Sequence, residues 1–325
     1  MGQARLLLAR EPIDRVLSDT ATPEDLRARL VLVSQVRDFA AQQGLRVGQR
    51  YTQYAPWPGD RIVTTVVATR PGEVEPEGFW FPIVGRVPYK GYFDAQSAAA
   101  EAAALRGRGR DACIARVPAY STLGWFDDPV TGPMLREPED ELVEMLFHEL
   151  VHATVFVPGD AAWNEGVASF VGEEARVRFY AAHEGPAAAE RERERIDRER
   201  RARDVLLRAR RDAQRVYAAL PPGPARDAAR AEVDLEARAE LEALAVLGGD
   251  AGLARLRTND ACLALAATYG DQTPCLAAQL RALDGDLPAL VAELAAAATG
   301  AEPRRAPFAA SACAADAAPE SSAAR

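Results

Sequence analysis

The stretch PEDELVEMLFHELVHATVFVPGDAAWNEGVASFVGEE, residues 138–174, contains two apolar-periodic segments separated by a break. Pro138 followed by Glu139, Asp140 and Glu141 is a helix start, because proline fits the first turn and carboxylates complement the helix dipole there. Leu142, Met145, Leu146, Leu150 and Val151 give that helix an apolar stripe, and Pro158-Gly159 stops it. Asp160 can cap a second helix, which packs through Trp163, Val167, Phe170 and Val171.

The first helix carries two of the chain's 3 histidines. His148 and His152 stand one turn apart on one face, so both imidazoles can address a single cation. Glu149 sits beside that cation, outside its coordination sphere. In the His-Glu-x-x-His arrangement such a carboxylate takes a proton from a metal-bound water and later passes it to the leaving group. Zinc lowers the pKa of its water from about 15.7 toward 7, so a carboxylate suffices as base.

A catalytic zinc site needs a third protein ligand and one open position. Glu165 is the choice for that ligand. Its neighbours at i+3, i+4 and i+7 are Ala168, Ser169 and Gly172, all small, which lets two helices approach closely around one Zn2+ ion. Asp160, Glu173, Glu174 and His183 are the other candidates.

Working outward, the sequence reads as an α+β fold: a small N-terminal mixed sheet with an edge strand next to the zinc helix pair, then a mostly helical C-terminal part. Thr22-Pro23-Glu24-Asp25 opens a helix in capping-box fashion, Leu26, Leu30 and Val33 share one face, and Gly44 ends it. Residues 61–70, rich in β-branched side chains, predict a strand. Residues 80–87 and 111–118 are two more strand candidates, with an Ala-rich helix over 94–106 between them.

Beyond residue 184 the character changes. Residues 187–220 and 225–247 predict a long helical hairpin broken at Pro221-Pro222-Gly223-Pro224. Residues 190–204 are nearly all Arg, Glu and Asp around Ile196, which predicts a solvent-exposed end held by i, i+4 ion pairs and a candidate surface for a protein partner. Val205, Leu206, Ala209, Ala213, Val216, Tyr217 and Leu220 then restore a packing stripe. Residues 251–298 predict a further helical pair, and the Ala-, Ser- and Pro-rich residues 301–325 a disordered tail. The expected domains are therefore 1–184, catalytic, and 185–300, helical.

Composition bounds the function. With 325 residues, 48% hydrophobic and 27% charged, the chain can bury a real core, and its net charge of -9 argues against a nucleic-acid partner. No run of apolar residues is long enough to span a membrane. Cys113, Cys262, Cys275 and Cys313 form no metal-binding pair; buried or idle thiols are the expectation, with Cys262–Cys275 as the pairing an oxidising compartment would allow.

On these residues the chain resembles the bacterial family of predicted zinc aminopeptidases of the gluzincin group. The similarity runs from Gly2 and Gln3, through Leu6, Leu7 and Pro12-Ile13, to about residue 298. Its most specific stretches are Tyr89 to Phe93, Ala119 to Pro129, His148 to His152 and Asn164-Glu165, with a weaker match at Asn259-Asp260-Ala261 and Tyr269. Where that family has Phe-Asn-Glu-Ser-Phe-Ala, this chain has Trp163-Asn164-Glu165-Gly166-Val167-Ala168, which spares the ligand. Phe79-Trp80-Phe81-Pro82 likewise replaces a Trp-Cys-Phe-Pro run.

The resemblance implies a zinc-dependent peptidase with a peptide substrate, His148, His152 and Glu165 as ligands, and Glu149 as the catalytic carboxylate. In such peptidases an edge strand ahead of the metal helix holds extended substrate by main-chain hydrogen bonds. Tyr120, Ser121, Thr122, Leu123 and Gly124 occupy that place. A donor for the developing oxyanion is also needed; Tyr269 is the first choice, with Tyr120 and Tyr180 as alternatives. Asp127 and Asp128 are candidates for binding a free α-amino group or for capping the turn before Pro129.

The aminopeptidase label comes from the resemblance alone. A zinc endopeptidase or other amide hydrolase, and an envelope scaffold with a vestigial zinc site, are the alternatives. Similar proteins carry an export or lipoprotein segment ahead of the Gly-Gln pair. Leu6, Leu7 and Leu8 are too few to form one, so the sequence as it stands reads as soluble; an export segment ahead of it would place the protein in the cell envelope.

Overall fold

The computed structural model describes residues 9–81, 85–117, 128–248, 252–253, 256–267 and 273–299. Among these the chain runs β1 (Glu11–Pro12), α1 (Ile13–Ser18), α2 (Glu24–Gln42), β2 (Gln53–Ala55), β3 (Val63–Thr69), β4 (Phe79–Phe81), β5 (Gly85–Val87), β6 (Lys90–Tyr92), α3 (Ala95–Gly107) and β7 (Asp111–Val117). It continues with β8 (Val130–Thr131), α4 (Gly132–Leu135), α5 (Glu139–Thr154), α6 (Ala161–Glu184), α7 (Pro186–Ala219), α8 (Pro224–Gly248), α9 (Asp260–Ala266), α10 (Thr273–Ala282) and α11 (Leu287–Ala298). The architecture is α+β, small sheets preceding a mostly helical C-terminal part. Among the described residues no helix is long and apolar enough to cross a membrane.

These elements sort into two compact units, each drawn from separated stretches. One takes residues 1–5, 57–120 and 190–268, the other 6–56, 121–189 and 269–325. The change in composition near residue 185 therefore does not mark a sequential boundary. Long-range packing is the reason: α9 returns to the β3–β7 sheet, while α10 and α11 return to α6.

In the first unit β3 is the central strand of an antiparallel sheet ordered β6-β3-β7, with Val67 opposite Cys113. Its two faces are both covered. Val66 and Ala68 pack with Ala98, Ala102 and Leu105 of α3, whereas Val67 and Cys113 pack with Ala261 and Cys262 of α9. Double coverage explains why a β-branched run without polar alternation is a strand here. Asp94 caps α3 through the Gln96 and Ser97 amides, as its position before an Ala-rich run favours.

The third strand expected at 80–87 is replaced by two short strands, β4 and β5, which pair with each other, and β6 takes the open edge of β3. Cys113 and Cys262 form a disulfide between β7 and α9, correcting the expectation of idle thiols and of a Cys262–Cys275 pairing. Cys275 is likewise disulfide-bonded. Spacing along the chain misses such a bridge because its partners are 149 residues apart.

The hairpin of α7 and α8 breaks at the proline cluster, as expected. Ala202, Val205, Leu206 and Ala209 meet Ala237, Leu241 and Ala245, and Leu253 and Leu263 join them. The charged stretch 190–204 is less exposed than expected: Ile196 and Ala202 are buried, and Arg195, paired with Glu199 at 3.1 Å, is half-buried. A helix one face of which packs along its length buries the apolar residue of even a highly charged segment.

In the second unit β2 lies between β1, antiparallel, and β8, parallel. β8 is thus an edge strand, and the chain passes from it through α4 into α5. Pro23, not Thr22, occupies the cap position of α2, and Thr22 instead donates to the Val16 carbonyl at 2.6 Å. Phe39 of α2 packs edge-to-face on Phe147 of α5 and Phe179 of α6, at 6.1 and 5.7 Å. Instead of one helical pair over 251–298, the described residues of that range hold three short helices, α9 in the first unit, α10 and α11 in the second. The tail, 301–325, lies outside the described residues.

Candidate metal centre

α5 begins after Pro138 with three acidic residues in its first turn, and Leu142, Val143, Leu146, Phe147, Leu150 and Val151 are buried along it. It ends at Thr154. The Thr154 hydroxyl donates to the Leu150 carbonyl at 2.7 Å and accepts from the Arg46 amide at 2.8 Å, and the Arg46 guanidinium donates to the Thr154 carbonyl. These contacts satisfy groups that a helix end leaves without partners.

The return into α6 is fixed twice. Asp160 caps the helix through the Trp163 amide at 3.2 Å. Asn164, buried, spans the connection: its Oδ1 accepts from the Val157 amide and its Nδ2 donates to the Val157 carbonyl, both at 2.8 Å. The residue before Glu165 is thereby tied to the loop leaving the histidine helix. Further along, α6 passes the His148 backbone so closely that a Cβ on Gly172 would lie 3.4 Å from His148 N and 3.5 Å from its Cα. The small face of α6 is what permits this crossing.

Three donor atoms converge where the helices meet. His148 Nε2 and His152 Nε2 are 3.0 Å apart; Glu165 Oε2 is 3.2 Å from the first and Oε1 3.5 Å from the second. The three ligand atoms lie within 4.8 Å of one another, and this is the group of His, Cys, Asp and Glu among the described residues that can hold a metal ion. The side chains are largely buried yet reachable, with 18%, 12% and 28% of their surfaces exposed.

The charges reinforce one another. Burial opposes ionisation of Glu165, but the hydrogen bonds and charge of His148 and His152 outweigh it and hold the carboxyl down at about 2. Burial also works against a charged His152, and the hydrogen bond and charge of Glu165, with the charge of Glu149, raise that imidazole overall. Glu149 Oε2 and His152 Nδ1 are buried with no hydrogen-bond partner among the described residues. One turn before His148, Glu144 pairs with Arg176 of α6, whose side chain is 1% exposed.

The other candidates have different employment. Asp160 is a helix cap, Glu174 pairs with Arg178 at 2.7 Å, and His183 bonds the Phe179 carbonyl while lying against the Phe179 ring. Tyr180 is buried against Phe179. Asn259 and Asp260 belong to the first unit, where Asn259 donates to Asp111 at 2.9 Å and Asp260 accepts from Tyr217 and Arg230, anchoring α9. Tyr120, Ser121, Thr122, Leu123, Gly124, Asp127 and Tyr269 lie outside the described residues.

Sequence reasoning missed Tyr51 and Arg176. Tyr51 is buried, 4% exposed, and close enough to Glu149 and Asp128 to feel both charges. No periodicity points to either residue, since each acquires its surroundings from a distant part of the chain.

The chain matches no curated protein and no solved structure. Residues 1–308 match the model of the family described as "Putative aminopeptidase", and the chain, with its histidine–glutamate cluster at the crossing of α5 and α6, belongs to that family.

Proposed function

We propose that the protein is a zinc-dependent peptidase of the gluzincin kind that removes residues from the N-terminus of peptides. The observation that carries this reading is the convergence of His148, His152 and Glu165. Ligand atoms about 2.0–2.1 Å from a tetrahedral zinc stand about 3.3 Å apart. The two imidazole nitrogens here are 3.0 Å apart, and Glu165 brings one oxygen within 3.2 Å of His148 and the other within 3.5 Å of His152. Two imidazoles and one carboxylate are also the donor set of an open, catalytic zinc site rather than a closed structural one.

Zinc held there would supply Lewis acidity, lowering the pKa of a water toward about 7 and polarising the scissile carbonyl. The protein's own part falls first to Glu149. Its carboxylate has a buried oxygen with no partner among the described residues, as suits a group whose partner is an incoming water. It takes the proton from that water and returns it to the departing amine. Glu165, held ionised by the histidines, keeps both imidazoles on one side of the crossing, and Asn164 and Gly172 keep α6 against α5. The disulfide between Cys113 and Cys262 supports an oxidising compartment such as the cell envelope.

Metal analysis together with hydrolysis of unblocked and N-blocked peptides tests the reading. One zinc per chain and activity lost on N-blocking are expected, with Glu149→Gln retaining the metal and losing about 10²–10⁴-fold in kcat. Indifference to blocking would make the protein an endopeptidase or another amide hydrolase. Zinc without any activity would make the site vestigial.

A further inference from the structure

The unit without the histidine helix has a cavity of about 450 Å³, within the range of small-molecule sites. Its walls come from the end of α7, the first turns of α8, the starts of β7 and α9, and the turn after β3. Asn259 and Asp260, singled out by the sequence and unused by the metal centre, lie on it. Three arginines and four aspartates also line it, and most of this charge cancels internally. Arg230 pairs with Asp260 and Arg238 with Asp234, each at 2.8 Å. Asp111 accepts only from uncharged donors: the Ala112 and Ala261 amides and the Asn259 side chain.

Arg226 and Asp227 remain, and neither forms an ion pair with any described residue. The cavity thus keeps one uncompensated positive charge, Arg226, and two negative ones, Asp111 and Asp227. The Arg226 guanidinium is nevertheless held in place. Its Cζ lies 5.4 Å from the centre of the Tyr217 ring, and a Cβ on Gly72 would come within 3.0 Å of its Nη1, so that glycine leaves the room it occupies. Stacking and close packing fix the fork without neutralising it. Its Nε is buried with no acceptor among the described residues, a condition that calls for an acceptor from outside the chain.

A simple anion entering this cavity would meet surplus negative charge, and a simple cation would leave Arg226 uncompensated. A ligand carrying both a carboxylate and an ammonium group answers both. We propose that the cavity is a second binding site, for a small zwitterion of the α-amino-acid kind, whose carboxylate pairs with Arg226 and whose ammonium group is drawn to Asp227 and Asp111. A free amino acid is also what the reaction proposed above would release, but the site stands on its own charges and not on that reaction.

The test is calorimetric titration of the full-length chain with four probes: L-leucine, whose side chain adds no charge; N-acetyl-L-leucine, which lacks the ammonium group; L-leucinamide, which lacks the carboxylate; and inorganic phosphate. Leucine should bind, the other three should bind at least about tenfold more weakly, Arg226→Gln should lose about 10–100-fold in leucine affinity and Asp227→Asn about threefold. Leucine binding should survive His148→Ala; binding that disappears there belongs to the metal centre and overturns the proposal. Phosphate or N-acetyl-leucine binding as tightly as leucine would make the cavity a plain anion site, and leucinamide doing so a plain cation site; either result overturns the proposal, as does the absence of saturable leucine binding or its persistence in Arg226→Gln. Because Arg226 also packs on Tyr217, the exposed Asp227 decides the matter should Arg226→Gln fail to fold: unchanged leucine affinity in Asp227→Asn then overturns the proposal.

Discussion

Two helix pairs in this molecule solve the same packing problem in opposite ways. The hairpin of α7 and α8 closes over Ala202, Val205, Leu206 and Ala209 against Ala237, Leu241 and Ala245, and an ion pair such as Arg208–Glu240 lies at its surface. The pair α5 and α6 instead buries charge at its crossing: Arg176 with Glu144, and Glu165 with two histidines. An apolar seam is sufficient for holding helices together. Burying ionised groups stabilises little in itself, so their concentration at the α5–α6 crossing marks a place where packing alone does not account for the residues.

This comparison can be broken by substitution. The largest effect should follow Arg176→Ala, which takes the buried guanidinium away from the Glu144 carboxylate of α5; urea unfolding should show a loss of about 3–5 kcal/mol together with weakened metal binding. A loss below about 1 kcal/mol would mean that the α5–α6 crossing does not depend on its buried charge. Gly172→Leu should follow, because a side chain placed against the His148 backbone forces the helices apart. A cost of about 1–3 kcal/mol is expected, and metal analysis should find the site depleted while the hairpin remains folded.

A smaller effect concerns pH in protein stripped of metal. The Glu165 carboxyl is lowered from 4.5 to about 2, so its stabilisation is complete above 4.5 and lost as pH falls toward 2. The His152 imidazole is raised above 6.5, so its contribution is complete below 6.5 and lost as pH climbs through the raised value. The stability difference between wild type and Glu165→Gln should therefore be greatest between about pH 4.5 and 6.5 and shrink on both sides. A difference flat from roughly pH 3 to 9 would sink this account of the cluster. The smallest effect belongs to the hairpin: Arg208→Ala should change stability by less than about 1 kcal/mol, because both partners are near half-exposed.

Legibility followed the range of the interactions. The helices carrying the site, their proline starts and stops, the Asp160 cap and the hairpin break are local features, and each stands where its residues indicate. The cluster that could hold a metal was readable because His148 and His152 are fixed by helical periodicity, and because the small face of α6 marks Glu165 as the carboxylate that a close crossing would bring in. Local signals misled where two solutions compete on equal terms. Residues 80–87 contain one strand or two with the same composition, and the alternation around Ile196 cannot say whether a neighbouring helix covers it.

Sequence by itself, then, determined the α+β character, the helix pair and the residues that can hold a metal, since these depend on spacings of a few residues along one chain. Tertiary structure alone decided the rest. It divided the chain into interleaved units, because α9 finds its apolar partner on β3 and β7, and joined Cys113 to Cys262 across 149 residues. It brought Tyr51 within reach of the Glu149 charge and set Arg176 against Glu144. Burial and electrostatic proximity belong to the packed chain and have no period along the sequence, so no pattern of residues could have announced them.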